Sequence, residues 1–219
     1  MPRKKLGLIH TSSTLIDVFK QLCDELIPGV DVLNITDESL IADVIAAGKL
    51  TENVSQRLCE HVRMAEASGA DFVMVTCSSI GCAADAAQTG ASVPVVRVDR
   101  AMADHAVSLA ARIGVVATLH TTLGPTVELI EHSANLAGKS VDVTARLCDG
   151  AFAELLQGNL ESHDNMVCQA LAELIQTVDV IVLAQASMSR CVARLSAELT
   201  SKPILSSPRM AIESIKRLI

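Results

Sequence analysis

Short apolar segments alternate along this chain with longer segments whose apolar residues recur at helical spacing. The short segments are rich in Val, Ile and Leu, which is typical of buried strands. Eight strands are predicted in this way: Leu6–Ile9, Val30–Ile35, Phe72–Thr76, Val93–Val98, Ile113–Ala117, Val141–Ala145, Val178–Ala184 and Ile204–Leu205. Enough residues for a helix follow each of the first seven. The pattern therefore predicts an α/β fold built from βαβ units, with parallel sheets flanked by helices.

Two helix starts are indicated by polar residues that precede amphipathic segments. Thr51-Glu-Asn-Val opens one such segment, and Ser162–Asp164 opens another. Ser, Thr and Asp are common at helix starts because their side chains accept hydrogen bonds from the first backbone N–H groups. We therefore expect helices to begin at both places.

The second half of the chain repeats the first. Three pairs of segments match, at offsets of 107, 108 and 109 residues: Gly7–Thr14 with Gly114–Thr121, Ala70–Cys77 with Val178–Gln185, and Pro94–Arg100 with Pro203–Arg209. Any two parallel α/β segments look somewhat alike, because buried strands use few residue types. Three matches in the same order at nearly the same offset favour a true duplication.

A duplicated α/β half predicts two pseudo-symmetric halves, each with its own parallel sheet. The predicted halves are residues 1–105 with 206–219, and residues 106–205. Ligands of open parallel sheets bind beyond the carboxyl ends of the strands, so we expect an active site in the cleft between the halves. Ser, Thr and His are frequent directly after the strands, in four segments: His10–Thr14, Cys77–Gly81, Thr118–Thr122 and Gln185–Ser189.

Cys77 is the strongest catalytic candidate. It follows the apolar run Phe72–Val75 and precedes Ser78 and Ser79. A thiol at a strand end beside the start of the next helix can serve as a nucleophile or as an acid/base, because helix N-termini stabilise the thiolate. The two serines offer hydroxyl and backbone N–H groups to an anion. The alternative is a small residue required by a tight turn.

Thr118, His120, Thr121 and Thr122 follow the fifth predicted strand and are suited to binding a carboxylate. His120 is also a candidate acid or base, because imidazole titrates near neutral pH. His10 occupies the matching place after the first strand. For each histidine the alternative is a hydrogen-bonded loop residue without a chemical role.

Composition narrows the classes of function. The net charge of −7 argues against binding to a phosphate backbone, and an aromatic content of 1% argues against stacking on bases. No apolar run approaches the roughly 20 residues of a membrane span, and Leu6–Ile9 is too short for a signal peptide. Seven irregularly spaced cysteines indicate reduced thiols, most of them in the core. We therefore expect a cytoplasmic protein.

Several familiar motifs are missing from the sequence. It contains no dinucleotide-binding or P-loop glycine pattern and no GxSxG elbow. Cys77 and Cys82 have no second Cys/His pair nearby, so we expect no zinc site and no metal. Asp99 with Arg100, and Arg209, are interpreted as members of surface ion pairs.

These residues resemble the aspartate/glutamate racemase superfamily over essentially the whole chain. Val75-Thr-Cys77-Ser-Ser79 is similar to the segment that carries the family's first catalytic cysteine, and Gly114-Val-Val-Ala-Thr118-Leu-His-Thr121 matches a conserved family segment closely. The resemblance implies a cofactor-independent enzyme that acts on a small carboxylate. It also implies substrate-binding residues at these positions: His10, Thr11, Ser12, Ser78, Ser79, Thr118, Thr121, Ala186 and Ser187.

The chain departs from the family pattern at Gln185, where the second catalytic cysteine is expected. A carboxamide does not exchange protons at useful pKa values, although it can bind a carboxylate or enolate oxygen. Three routes with one thiol remain. Cys77 protonates an enediolate left by decarboxylation, or adds to an activated double bond and permits rotation, or works with His10 or His120 as the second acid/base.

The sequence-based hypothesis is an isomerase or racemase that acts at the carbon next to a carboxylate, with Cys77, Gln185 and His120 as catalytic residues. The alternatives are a cofactor-independent decarboxylase and a non-catalytic protein that binds small acids. The resemblance also implies a homodimer or a higher homo-oligomer. We expect the Cys77 sulfur and the Gln185 amide to face one substrate.

Overall fold

The computed structural model describes residues 3–192, 194–195 and 202–219. The chain divides into two compact units, Met1–Asp99 with Pro208–Ile219 and Arg100–Ser207. The C-terminal helix thus packs with the first unit. The boundary predicted after residue 105 falls inside a helix that belongs to the second unit.

The first unit contains four strands and five helices among its described residues. In chain order they are β1 (Lys5–His10), α1 (Leu15–Leu26), β2 (Asp31–Thr36), α2 (Glu38–Ala47), α3 (Glu52–Ala67), β3 (Phe72–Val75), α4 (Gly81–Gln88), β4 (Val95–Arg97) and, from the end of the chain, α10 (Ser207–Lys216). The strands are all parallel, in the order β2-β1-β3-β4. Strand β3 is buried along its whole length, because helices cover both faces of the sheet.

The second unit has the same arrangement in its described part. It contains α5 (Arg100–Leu109), β5 (Arg112–Ala117), α6 (His120–Leu136), β6 (Asp142–Leu147), α7 (Ala151–Leu156), α8 (Leu160–Leu174), β7 (Val180–Leu183), α9 (Ser189–Val192) and β8 (Ile204–Ser206). Its strands are parallel in the order β6-β5-β7-β8, which is the order of the first unit.

Apolar side chains form a separate layer on each face of the first sheet. Phe19 and Ile212 belong to one layer, and Leu58 and Val44 belong to the other. A similar layer in the second unit contains Leu171 and packs α8 against its sheet. These apolar layers fix the positions of the strands. They thereby also fix the positions of the polar loops at the carboxyl ends of the strands.

Equivalent glycines allow close helix packing in the two units. A Cβ atom on Gly7 of β1 would lie 3.0 Å from Cβ of Ala65, and one on Gly114 of β5 would lie 2.6 Å from Leu174. Both glycines occupy an interior strand of their sheet, Gly7 against α3 and Gly114 against α8, at the offset of the sequence repeat. The matching strand orders and packing confirm the predicted α/β class with two similar halves.

The eight predicted strands are all present, and no strand end shifts by more than two residues. The predicted helix start at Thr51 is confirmed, because its side chain caps α3 by accepting from the Val54 N–H. The predicted start at Ser162–Asp164 is wrong. Helix α8 begins at Leu160, and the Asp164 carboxylate bonds to arginine side chains instead of capping the helix.

Among the residues that the structure describes, no helix combines the length and apolar character needed to cross a bilayer. All seven cysteines are free thiols. Cys23, Cys148 and Cys191 are buried, whereas Cys82 is exposed. The prediction that most cysteines are core residues therefore holds only for a part of them.

Candidate functional site

Cys77 lies where β3 turns into α4. The strand ends at Val75, and the backbone N–H and the hydroxyl of Thr76 both donate to the Ile9 carbonyl. Cys77 keeps an extended backbone, a 3-10 turn at Ser78–Ile80 follows, and α4 begins at once. The thiol is thereby placed at the carboxyl end of a buried strand and at the start of a helix, as predicted.

Four donors surround the Cys77 sulfur. They are the hydroxyls of Thr11 and Ser79 and the backbone N–H groups of Ser79 and Ile80. Desolvation raises the pKa of the Cys77 thiol above its ordinary value, and these hydrogen bonds offset only part of that rise. The group is therefore a thiol at neutral pH, and donors are ready to stabilise its thiolate. That combination suits a residue that gives a proton and takes it back.

Gln185 occupies the equivalent place after β7. Its Oε1 accepts two hydrogen bonds from Thr118, from the backbone N–H at 2.6 Å and from the hydroxyl at 2.9 Å. A backbone N–H can only donate, so the atom that it contacts must be the carboxamide oxygen. The NH₂ group of Gln185 is therefore on the far side of the carboxamide, where it offers donors to an anionic oxygen.

The start of α6 lies beside Thr118. Thr121 has a buried Oγ1 without a hydrogen-bond partner in the described part of the chain. Such an atom is costly unless a ligand or water satisfies it. His120 is the first residue of α6 and is exposed, so its imidazole is accessible.

His10 has a structural contact at each ring nitrogen. Its ring is fully buried, with Nδ1 2.9 Å from the Thr76 hydroxyl and Nε2 2.9 Å from Oδ1 of Asn34. Burial lowers the pKa of His10, and the hydrogen bond to Asn34 opposes that effect. The ring joins the ends of β1, β2 and β3. Both ring nitrogens of His10 thus have contacts within the fold, and its predicted substrate contact and acid/base function stay predictions.

The remaining predicted binding residues lie in the strand-end loops of their own units. In the first unit, Ser78 is buried, and Ser12 is partly exposed with its hydroxyl 2.8 Å from that of Thr14. In the second unit, Ala186 and Ser187 are partly exposed in a 3-10 turn directly after Gln185. Each loop therefore sits at the carboxyl edge of its sheet.

Sequence reasoning missed a buried ion pair behind the Cys77 loop. Asp99 is fully buried and pairs with Arg97, so its interpretation as half of a surface pair with Arg100 is wrong. The signal in the sequence was an Arg in the last apolar strand of the first half. Arg209 does form an exposed ion pair, with Glu25.

A second polar cluster lies behind the Gln185 loop. In the described part of the chain, one group of three His, Cys and Asp residues places its potential ligand atoms within 4.8 Å of one another: His163, Asp164 and Cys191. Arg190 and Arg194 also contact the Asp164 carboxylate. Two guanidinium groups already neutralise that carboxylate, so the cluster is better suited to joining α8 and α9 than to binding a cation.

Contacts within this cluster, together with burial, shift the pKa values of Asp164 and Cys191. Burial acts to raise the pKa of Asp164, but hydrogen bonds from Arg190, His163 and Cys191 outweigh it and hold the pKa well below its usual range. Burial and the Asp164 charge raise the pKa of Cys191 to about 12. Cys191 therefore stays a protonated thiol at neutral pH.

A groove of about 950 Å³ lies at the other edge of the first sheet. It is lined by residues at the amino ends of the strands, among them Lys4, Val30 and Asp71. Cys77 is at the carboxyl end of β3 and does not line this groove. The volume of this groove therefore gives no information about the chemistry of Cys77.

Solved structures with the same fold carry several activities. A glutamate racemase from Francisella tularensis in complex with D-glutamate is 15% identical, with a TM-score of 0.76 over 99% of this chain and 81% of that one. An aspartate racemase homologue from Pyrococcus horikoshii OT3 is 14% identical, with a TM-score of 0.71 over 98% of each chain. A variant of arylmalonate decarboxylase is 14% identical, with a TM-score of 0.60 over 98% of this chain and 92% of that one. At these identities the likeness concerns the fold.

The fold and its loops define an α/β protein of two similar units, with a cysteine after the third strand of the first. The chain belongs to the Asp/Glu/hydantoin racemase family, whose model matches residues 6–215. A search of curated proteins found no match.

Proposed function

We propose that the protein is a cofactor-independent isomerase or racemase that acts at the carbon next to a carboxylate of a small acid. Cys77 is its acid/base, and the observation that carries this proposal is the set of donors around its sulfur. Family membership supports the same class of chemistry. A structural cysteine in a tight turn would not need two backbone N–H groups and two hydroxyls.

In this mechanism the Cys77 thiol first gives its proton to water, and the resulting thiolate, stabilised by its four donors, takes the proton from the α-carbon. The electron pair of the broken C–H bond moves into the carboxylate, which becomes an enediolate. The NH₂ group of Gln185 and the hydroxyl of Thr121 are assigned to carboxylate-derived oxygens, because both are donors without an acid/base function of their own. Return of the proton by Cys77 gives exchange without inversion, whereas inversion needs a second acid.

For the proposed isomerase or racemase reaction, His120 is the second acid. It is exposed at the start of α6, two residues after Thr118, and imidazole is a common general acid in enzymes. His10 is a poorer choice, because its ring is buried and both nitrogens have structural contacts.

Gln185 favours a decarboxylase as the second candidate. A decarboxylase needs one acid: the bond to the leaving carboxylate breaks, carbon dioxide departs, and the electron pair stays on the α-carbon as an enediolate. The Cys77 thiol then donates its proton to that carbon and regains one from water. Its raised pKa, caused by desolvation, keeps it in the required protonated form.

A panel of small acids in deuterated buffer separates the candidates. The panel should include amino acids, 2-hydroxy acids, cis-unsaturated diacids and substituted malonates, each followed by NMR and by chiral chromatography. Exchange of the α-proton or formation of an isomer supports the isomerase. Release of carbon dioxide supports the decarboxylase. Binding detected by thermal shift with neither reaction would leave a protein that only binds small acids.

A further inference from the structure

Arg97 is a buried cation at the end of β4. The residue is only 4% exposed. Its Nε and Nη2 donate to the two oxygens of Asp99 at 2.7 and 3.0 Å, and its Nη1 donates to Asp85 of α4 at 2.9 Å. A bidentate guanidinium held at three nitrogens has one orientation. Arg97 thus ties the middle of α4, at Asp85, to the end of β4.

Gly81 packs directly on this guanidinium. A Cβ atom built on Gly81 would lie 2.4 Å from Cζ and Nη2 of Arg97 and 2.6 Å from Nε. These distances are far below van der Waals contact, so any larger residue would displace either the arginine or the first turn of α4. The guanidinium therefore sets how closely the start of the helix approaches the sheet.

The donors to Cys77 come from the residues just before Gly81. The backbone N–H groups of Ser79 and Ile80 point at the sulfur, and the N–H of Gly81 bonds to the Ser78 carbonyl. The turn and the first residue of α4 are thus continuous in chain and in hydrogen bonding. A shift of Gly81 would move both donor groups relative to the sulfur.

The second unit provides an internal comparison. By the offsets of the repeat, Ser189 stands where Gly81 does and Ser206 where Arg97 does. This unit has Gln185 instead of a cysteine, and its loop is joined to α8 through the ion pair of Arg190 with Asp164. The unit with the thiol has the arginine and the glycine, and the unit with the carboxamide has neither.

We propose that Arg97 is a positioning residue for Cys77: its guanidinium, packed on Gly81, aims the Ser79 and Ile80 N–H groups at the sulfur and so stabilises the thiolate. This inference rests on the proposed role of Cys77 as acid/base. Arg97 makes no contact with the substrate in this account and acts through the backbone.

Alkylation of Cys77 with iodoacetamide tests this role without any substrate. The rate is followed between pH 6 and 11 by mass spectrometry of the Cys77 peptide, with Cys168 as an internal reference. Three variants disturb the contact in different ways: Gly81→Ala, Arg97→Lys, and Arg97→Met combined with Asp99→Asn, which leaves no unpaired buried charge. We expect each to raise the apparent pKa of Cys77 by about one unit, and so to slow alkylation at pH 8 about tenfold.

Gly124→Ala is the matched control, because that helical glycine has open space where its Cβ would lie. It should leave the Cys77 titration unchanged. Faster hydrogen exchange of the Ser79 and Ile80 amides in the Arg97 variants would support the proposed mechanism. Folded variants with a Cys77 titration like that of the wild type would overturn the positioning role of Arg97. If the double variant fails to fold, the titrations of Gly81→Ala and Arg97→Lys test this role. An active Cys77→Ala variant would instead overturn the proposed function, whatever the titration shows.

Discussion

Thr118 gives both of its hydrogen-bond donors to one oxygen of Gln185. At the equivalent place in the first unit, the hydroxyl of Thr11 donates to the Cys77 sulfur. The two units therefore use the same threonine position for different partners. In one unit the threonine donates to the thiol that we propose as the acid/base, and in the other it fixes the orientation of a carboxamide.

Gln185→Glu should weaken the binding of small acids at least tenfold. The new carboxylate can still accept from Thr118, but it replaces the NH₂ donors by an anionic oxygen, which repels the carboxylate of a ligand. Calorimetric titration with the acid that gives the largest thermal shift measures the loss. Thr118→Val is the control for orientation, since it removes one of the two bonds and keeps the donors. Binding by Gln185→Glu at the wild-type affinity would show that the NH₂ group does not contact the ligand.

Gln185→Cys should create or enhance racemisation of a bound amino acid, because it supplies the second thiol that two-base chemistry requires. Polarimetry, together with exchange of the α-proton, measures the gain, and Gln185→Ser serves as a control of similar size without a useful pKa. If Gln185→Cys binds the acid but gives no gain, the absence of a second thiol is not what limits inversion.

His10 should make the protein less stable in mild acid. Burial depresses its folded pKa below the unfolded value of 6.5, so the unfolded chain binds more protons as the pH falls. This contribution to the free energy of unfolding is complete above about pH 6.5 and is lost as the pH falls through the folded pKa. The loss amounts to about 1.4 kcal/mol for each unit of depression. Urea unfolding at pH 8 and pH 5 measures it.

His10→Gln provides the comparison, since a carboxamide keeps hydrogen-bonding capacity but does not titrate. The difference in unfolding free energy between the two pH values should be smaller in this variant than in the wild type. An equal difference in both proteins would mean that His10 titrates alike in the folded and unfolded chains.

Asp164→Asn should cost about 2 kcal/mol of unfolding free energy, because the buried carboxylate loses charge-assisted hydrogen bonds from arginines that are themselves more than a third exposed. The change removes a charge that Arg190 and Arg194 share behind the Gln185 loop. Asp179→Asn is a matched control, because its ion pair with Arg112 is exposed and should contribute less than about 1 kcal/mol. Equal losses of unfolding free energy in the two variants would contradict the structural role of the cluster.

The architecture could be predicted from the sequence because each strand is a short buried run with a helix after it. The repeat offsets near 108 residues also predicted that Cys77 and Gln185 occupy equivalent loops. Apolar periodicity and polar residues at strand ends are local features of the sequence, and they correspond directly to elements of the folded structure. The start of α8 was misplaced because Asp164 looked like a cap, whereas a partner 26 residues away uses its carboxylate.

The parts of the site that sequence reasoning missed depend on contacts between distant segments. The position of Arg97 within an apolar strand is a signal of burial, but nothing in the local sequence identifies Asp99 and Gly81 as the contacts of its side chain. The contacts of both His10 nitrogens likewise depend on Asn34 in β2 and on Thr76 directly after β3. Whether a polar side chain serves a ligand or the fold is decided by such partners.

The role of Cys77 as the acid/base is tested by measuring α-proton exchange in deuterated buffer with the Cys77→Ala variant. The assay uses the acid from the panel that the wild type turns over, and Cys82→Ala is the control, because Cys82 is exposed five residues further along the chain. We expect the wild-type exchange rate in Cys82→Ala. In Cys77→Ala we expect the exchange rate to fall at least a thousandfold, with an unchanged circular dichroism spectrum. Exchange in Cys77→Ala at the wild-type rate would contradict the role of Cys77 as the acid/base.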